Sequence, residues 1–553
     1  MKQLQKYILL IFALLFIVPS CGKKFLEEVV VSNVVDSYFN TRAGFEDALK
    51  GAYSSMRAFY GSERGMSMTV FGTDTYTRGA DGSFKFFNDY TAQLDARNQL
   101  TNEIWNEFYR AINTANAVIS RADQLTTIDQ ATRDRRVAEA KFIRAHHYFI
   151  LVQLFGEVHL ALEENRTITT KASRSSIKNI YEAIVKDLEA AIPKLEPDVK
   201  KVDWGRATKP AAEHLLARVY LTKATSEAKA ADDYAKALQY AKSIINSNAF
   251  KLLPDFAKVF EQGAGEINDE VIWSVQYTTD PLTNFQAGNG SNSGNNSHVF
   301  FIMEYDVLPG MQRDVANGRP FKRFRPTDFG LSLWDRTNDA RYEKTFKMTF
   351  FSNRPGAFTV DGRPVTFNAG DTAIHLPSRE LSQAEILKRP YLVITPSRYS
   401  ERWFPTLTKF LDATRPDRTT FEGSRDFLAF RLAETYLIAA EAAMYTGNTA
   451  EAATFLNVVR RRAAFAGKER AMEITATQVN IDFILDEKER EMMGEQLRWF
   501  DLVRTGKLLE RVKKHNPQAA PGIKDFHVRR PIPQTQIDLT EGGPANFPQN
   551  TGY

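Results

Sequence analysis

The chain has 553 residues, of which 43% are hydrophobic and 25% charged, the proportions of a globular body with room for several sub-domains. Its 72 basic and 67 acidic residues leave a net charge of only +5, spread along the chain, which excludes a nucleic-acid-binding footprint. Aromatic residues reach 12%, enough to furnish a stacking surface as well as a core.

Lys2 and Lys6 precede an uninterrupted apolar run over residues 7–18. A stable bilayer-spanning helix takes about twenty residues, so this shorter run predicts a secretory signal. Pro19, Ser20 and Cys21 follow, and Cys21 is the single cysteine of the chain. A cysteine after a small residue at this point predicts a bacterial lipoprotein site, with the Cys21 thiol acylated as the first residue of the mature chain. One thiol also excludes an internal disulfide. No later segment holds about eighteen continuous apolar residues, so the expected product is lipid-anchored and does not span a membrane.

Residues 137–155 predict a long helix, apolar on most sides and therefore buried, ended by Gly156. Apolar residues recur at three- and four-residue steps from Ile177 to Ile192, and Pro193 stops the pattern. Leu215, Leu216, Val219 and Tyr220 mark another helix, with Thr208 as N-cap and Pro210 in its first turn. Tyr234 to Ile245 mark a third, and its alternation of small and aromatic residues has a tetratricopeptide flavour. Residues 62–100 and 261–425 differ in kind, being rich in Gly, Asn, Thr, Pro and aromatics. There the tract 286–298 predicts a long loop and 271–277 a short strand. A second helical block is expected over 426–511, broken at Gly447 and Asn448, Gly494 and Gly506.

The expected organisation is a signal peptide at 1–20, an anchor and tail at 21–40, and a helical repeat region at 41–260 with an insertion at about 62–100. A loop-rich variable region at 261–425 and a C-terminal helical region at 426–553 complete it. The fold class is mainly α: a tetratricopeptide-like helical repeat scaffold with long loop-rich insertions and a few short strands.

No HExxH, GxSxG or glycine-rich phosphate loop occurs. His146 and His147 are adjacent on a helix, point to different faces, and read as packing residues. Asp486, Glu487, Glu489 and Glu491 lie in a helical stretch that reads as structural, although sequence alone leaves a glycosidase pair open. No catalytic residue, metal or cofactor is expected. Arg431, Glu434 and Glu441, like Arg498, Asp501 and Arg504, recur on helical faces and predict buried, charge-paired helices. Trp105 reads as repeat core.

A sugar offers C–H faces to aromatic rings and hydroxyls to polar side chains. The first variable segment supplies Asp74, Tyr76, Arg78, Asp81, Phe84, Phe86 and Phe87. The second supplies Trp273, Tyr277, Phe285, Asn289, Asn292, Phe300, Tyr305 and Trp334. The expected ligand-binding set is Asp74, Tyr76, Arg78, Phe86, Phe285, Asn289 and Tyr305. Asp74, Tyr76 and Arg78 lead it, because their segment is polar, glycine-flanked and without helical period.

Several phrases stand in order along the chain: KFLEE at 24–28, WNEFYRAINTAN at 105–116, AEAKFIRAHHYF at 138–149 and LFG at 154–156. They continue with RLAETYLIAAEA at 431–442, LNVVRRRA at 456–463, RWFDLVRTG at 498–506, PIP at 531–533 and PQNTGY at 548–553. Together they resemble the SusD/RagB family, lipoprotein partners of TonB-dependent outer-membrane transporters in Bacteroidetes. The resemblance implies an outward-facing outer-membrane lipoprotein, tethered at Cys21, that binds a nutrient and delivers it to a SusC-like transporter. The nutrient is expected to be an oligo- or polysaccharide. Ligand contacts are implied in loops outside the repeats, the repeats are implied to pack on the transporter, and the protein is implied to close over it as a lid. Two alternatives stay open: an exported lipid-anchored hydrolase, and a transporter-associated scaffold without its own ligand.

Overall fold

The computed structural model describes residues 36–197, 203–280, 294–420 and 422–553. Cys21, Phe285, Asn289 and Asn292 lie outside the described residues.

The helices begin where the sequence supplies a cap. Thr41 caps Arg42–Ser54, Asn98 caps Gln99–Arg121, Asp129 caps Gln130–Phe155, Ser176 caps Ile177–Ala191 and Thr208 caps Lys209–Lys223. Each cap oxygen accepts one of the first-turn N–H groups that lack a partner within the helix. Gly156, at φ 75°, ends the helix Gln130–Phe155. That helix starts ahead of the predicted residue 137, because Asp129 caps an opening of Arg133, Arg135 and Arg136 that carries no apolar period.

Successive helices pack on one another: Arg42–Ser54 on Gln99–Arg121, that helix on Gln130–Phe155, and Gln130–Phe155 on Ile177–Ala191. Lys209–Lys223 packs on Asp233–Ser247. Asp233–Ser247 in turn packs on Leu432–Tyr445, and that helix on Thr449–Ala463, although residues 248–431 lie between the two blocks. The helical layer is therefore continuous across the long insertion, and the fold is mainly helical and tetratricopeptide-like. Among the described residues no helix is long and apolar enough to cross a membrane.

The insertion is pinched at its root. Val271–Val275 pairs antiparallel with Phe427–Arg431, so the two ends of the segment are held side by side. Residues 427–431, expected to open the C-terminal helical block, are thus a strand, and the helix begins at Leu432. Only the pairing partner decides this, and it is remote in sequence. The insertion itself is more than loop. A second hydrophobic cluster with Ile302, Tyr305, Phe350, Phe367, Ile374 and Phe404 forms inside it, separate from the main core around Trp105, Trp273, Phe430 and Trp499. The hairpin of Gly356–Val360 and Arg363–Phe367 contributes Val360 and Phe367 to that cluster.

The charged residues of the C-terminal block pair across elements as expected, although Arg431 does so from the end of the strand Phe427–Arg431 and not from a helical face. Arg431 donates to Glu270, Glu491 and Glu495, all buried, and the half-buried Arg504 donates to the buried Glu441 and Asp501. A buried charge deprived of its partner costs about 3–5 kcal/mol, so each pair constrains which helices can meet. His146 and His147 face different partners, the Tyr60 hydroxyl at 2.8 Å and the Ser55 hydroxyl at 2.9 Å. Burial pushes both imidazoles down, His147 to about 4.

Candidate functional site

The two variable segments meet at one place. Tyr76–Arg78 pairs antiparallel with Phe324–Pro326, and Thr77 stands opposite Arg325. Alternate residues of a strand face opposite ways. Tyr76 packs inward against Phe301 at 5.3 Å, while Thr77 and Arg325 line a surface cleft of about 660 Å³. Phe329, after the second strand, and Lys514, His515 and Gln518, at the end of the helix Leu508–His515 and just beyond it, line its wall too, together with Asp328 just ahead of Phe329.

Local chemistry fixes this wall. The Thr327 hydroxyl accepts from the Gly330 N–H at 3.0 Å and donates to the Asp74 carbonyl at 2.6 Å, capping the short helix Asp328–Ser332. Glycine is needed at 330, since a Cβ there would meet the Thr75 carbonyl oxygen at 2.6 Å. The Phe329 and His515 rings stack at 3.8 Å and 23°, and the Arg511 guanidinium lies 5.2 Å from the Phe329 ring centre. Burial pushes the His515 imidazole below its ordinary range, so at neutral pH it offers one donor and one acceptor nitrogen. Gln518 accepts from the Thr77 hydroxyl and donates to Glu401 at 3.0 Å, and Glu401 also accepts from Arg78 at 2.7 Å. Aromatic surface beside free polar groups suits a ligand with apolar faces and hydroxyl edges.

The structure corrects the leading candidates. Asp74 is 0% exposed, and its carboxylate accepts from Arg498 at 2.8 and 2.6 Å and from Arg511 at 2.7 Å. Burial alone would push this carboxyl up; the two guanidiniums outweigh it and hold the group below the ordinary carboxylate range. Tyr76 is 2% exposed and Tyr305 0%, so neither is available at the surface. Tyr305 stacks on Phe350 at 5.4 Å within the second core and donates to the Gly318 carbonyl at 2.7 Å. Their segments look like loop because the partners that bury them come from distant parts of the chain. Phe87, Trp273, Tyr277, Phe300 and Trp334 are core as well.

Arg78 and Phe86 remain half-buried. Arg78 bridges Asp89 and Glu401 beside the cleft, and Phe86 packs on Phe87 at 4.9 Å. The sequence reading missed Arg325, Phe329, Lys514, His515 and Gln518. No periodicity brings residue 329 beside residue 515; the only local signal was Thr327 as a helix cap ahead of an exposed aspartate and an aromatic.

A second depression of about 370 Å³ lies between the helix Arg42–Ser54, residues 203–206 and the strand Val271–Val275. Its two indole N–H groups are spent, Trp204 on Asp426 at 3.3 Å and Trp273 on the Gly205 carbonyl at 2.9 Å. It draws nothing from the first variable segment. Among the described residues no group of three or more His, Cys, Asp or Glu side chains could hold a metal ion.

A model of the SusD family matches residues 269–553, and one described as "Starch-binding associating with outer membrane" matches residues 24–221. SusD-like protein P25 of Formosa agariphila is 26% identical over 576 residues, covering 100% of both chains. Starch-binding protein SusD of Bacteroides thetaiotaomicron is 24% identical over 455 residues, 78% of this chain and 75% of that one. Among solved structures, a laminarin-binding SusD-like protein superposes with a TM-score of 0.70 at 22% identity, covering 93% of this chain and 100% of that chain. A SusD homolog from Bacteroides thetaiotaomicron reaches 0.71 at 20% identity, over 93% and 98% of the two chains. At such identities the solved structures speak for the fold. The first family model spans more than half of the sequence and the relatives run along its length: the chain belongs to the SusD family.

Proposed function

We propose that this protein is an outward-facing outer-membrane lipoprotein that captures a glycan in the cleft between Thr77, Arg325, Phe329 and His515 and delivers it uncleaved to a SusC-like TonB-dependent transporter. The observation that carries this reading is the cleft: both variable segments converge there on an aromatic wall flanked by polar groups. Relatives named for starch and laminarin binding support a carbohydrate ligand. Among the described residues the cleft lining supplies a single carboxylate, Asp328, whereas glycosidic hydrolysis ordinarily takes a pair, which favours capture over cleavage. The outer-membrane description of the second family model and the signal expected over residues 1–20, just ahead of Cys21, support the anchor. Tethering beside a transporter raises the effective concentration of bound ligand, so modest affinity suffices.

The test is calorimetric titration of the full chain in detergent with laminarin, soluble starch and acidic polysaccharides, with product analysis of every binder. Binding without new reducing ends is expected, and Phe329→Ala should weaken it about five- to ten-fold through loss of the ring contact. Release of shortened sugars would overturn capture in favour of hydrolysis. Silence with every glycan would overturn the glycan reading.

A further inference from the structure

We infer that the glycan taken by this cleft is acidic, carrying uronate carboxylates or sulfate esters. The inference rests on the reading of the cleft as the glycan site. Three nitrogen-bearing side chains line it with their hydrogen-bonding capacity unspent: Arg325, Lys514 and His515. Among the described residues none of the three makes a side-chain hydrogen bond. The acid beside Arg325 is Asp328 at 3.8 Å, beyond hydrogen-bond reach, and the Asp328 side chain is 92% exposed, so water and salt screen it. Lys514 sits in the last turn of its helix, where a cation is favoured by the helix dipole, yet this occupies none of its three donors.

The cations around the cleft behave otherwise. Arg78 holds Asp89 and Glu401, Arg511 holds Asp74, Asp482 and Asp486, and Arg323 holds Glu63 and Asp81. These three guanidiniums are therefore each held by carboxylates at hydrogen-bond distance, which Arg325 and Lys514 of the cleft are not. A guanidinium presents a planar fork that matches a carboxylate or sulfate with two parallel hydrogen bonds, and an ammonium adds a compact point charge. The neutral His515, stacked on Phe329, is placed to contact the sugar ring and a hydroxyl rather than the acid group. A neutral glucan would leave both cations without a counter-charge.

The experiment titrates the full chain in detergent with dextran, dextran sulfate, polygalacturonate and laminarin, at low and at high salt. The acidic polymers should bind at least about ten-fold more tightly than dextran, with the advantage shrinking in salt. Arg325→Gln and Lys514→Gln should each weaken acidic binding about ten-fold, as loss of a charge-assisted hydrogen bond does. Lys178→Gln, at an exposed position of the helical layer, should not weaken it. The tighter of the two acidic polymers assigns sulfate or carboxylate recognition. If dextran or laminarin binds as tightly as the acidic polymers and Phe329→Ala still weakens it, the acidic preference is wrong and glycan capture stands. If all three charge substitutions weaken binding equally, the attraction is diffuse and the acidic site is wrong. If no polymer binds, both readings fall.

Discussion

Replacing Asp74 by alanine removes the carboxylate on which Arg498 and Arg511 converge, three hydrogen bonds of 2.6–2.8 Å in a fully buried setting. Breaking a buried ion pair from one side costs about 3–5 kcal/mol, since the remaining charge stays out of water. Here the arginines keep lesser partners: Arg498 has Glu489 at 3.7 Å and Asp486 at 3.9 Å, and Arg511 has Asp482 at 3.0 Å. The expected loss is therefore at the lower end, about 3 kcal/mol. Urea unfolding of the full chain, followed by tryptophan fluorescence, reads it as a lower midpoint at unchanged slope. The pH dependence gives a second check. The folded carboxyl lies below its ordinary value, so its contribution is complete above about pH 4 and is lost as pH falls through the folded pKa. The gap between wild type and Asp74→Ala should close in strong acid, and narrow slightly from mildly acid to neutral pH, where the ionised Glu489 repels Asp74 in the wild type. A midpoint within error of wild type at pH 7 would refute the structural role argued for Asp74.

Burial, against the opposing charge of Arg498, pushes Glu489 up to about 7. A carboxyl raised in the folded state contributes fully below about pH 4 and loses that contribution as pH rises through about 7. Glu489→Gln should flatten the fall in urea midpoint between pH 5 and 8 and gain up to about 3 kcal/mol at the upper end; parallel profiles would refute this. The buried Tyr76 hydroxyl has no partner among the described residues, so Tyr76→Phe should be neutral or stabilising by about 1 kcal/mol, while Tyr76→Ala loses about 3–5 kcal/mol by leaving a cavity. A large loss in Tyr76→Phe would show that the hydroxyl is bonded after all. Cys21→Ala should move the protein out of the outer-membrane fraction, and continued retention there would contradict the lipid anchor.

Helix positions were legible in the sequence because a helix is a local object. Its caps, its apolar stripe and its terminating glycine all lie within a few residues, as at Thr208 before Lys209–Lys223 and Gly156 after Gln130–Phe155. The ordered phrases carried the family for a related reason: they are largely the residues that pair and pack these helices. What surrounds a given loop residue is not local. Asp74 looked like a ligand contact until residues 498 and 511 were brought to it, and residues 427–431 looked helical until 271–275 lay alongside. Phe329 and His515 make one wall only because Tyr76–Arg78 pairs with Phe324–Pro326, with Asp74 just before the first strand held by Arg498 and Arg511 of the C-terminal helices. The helical scaffold is written locally in the chain, through short-range backbone hydrogen bonds and periodic burial. Tertiary structure alone decided which polar and aromatic groups stay at the surface, because burial and charge compensation depend on partners hundreds of residues away.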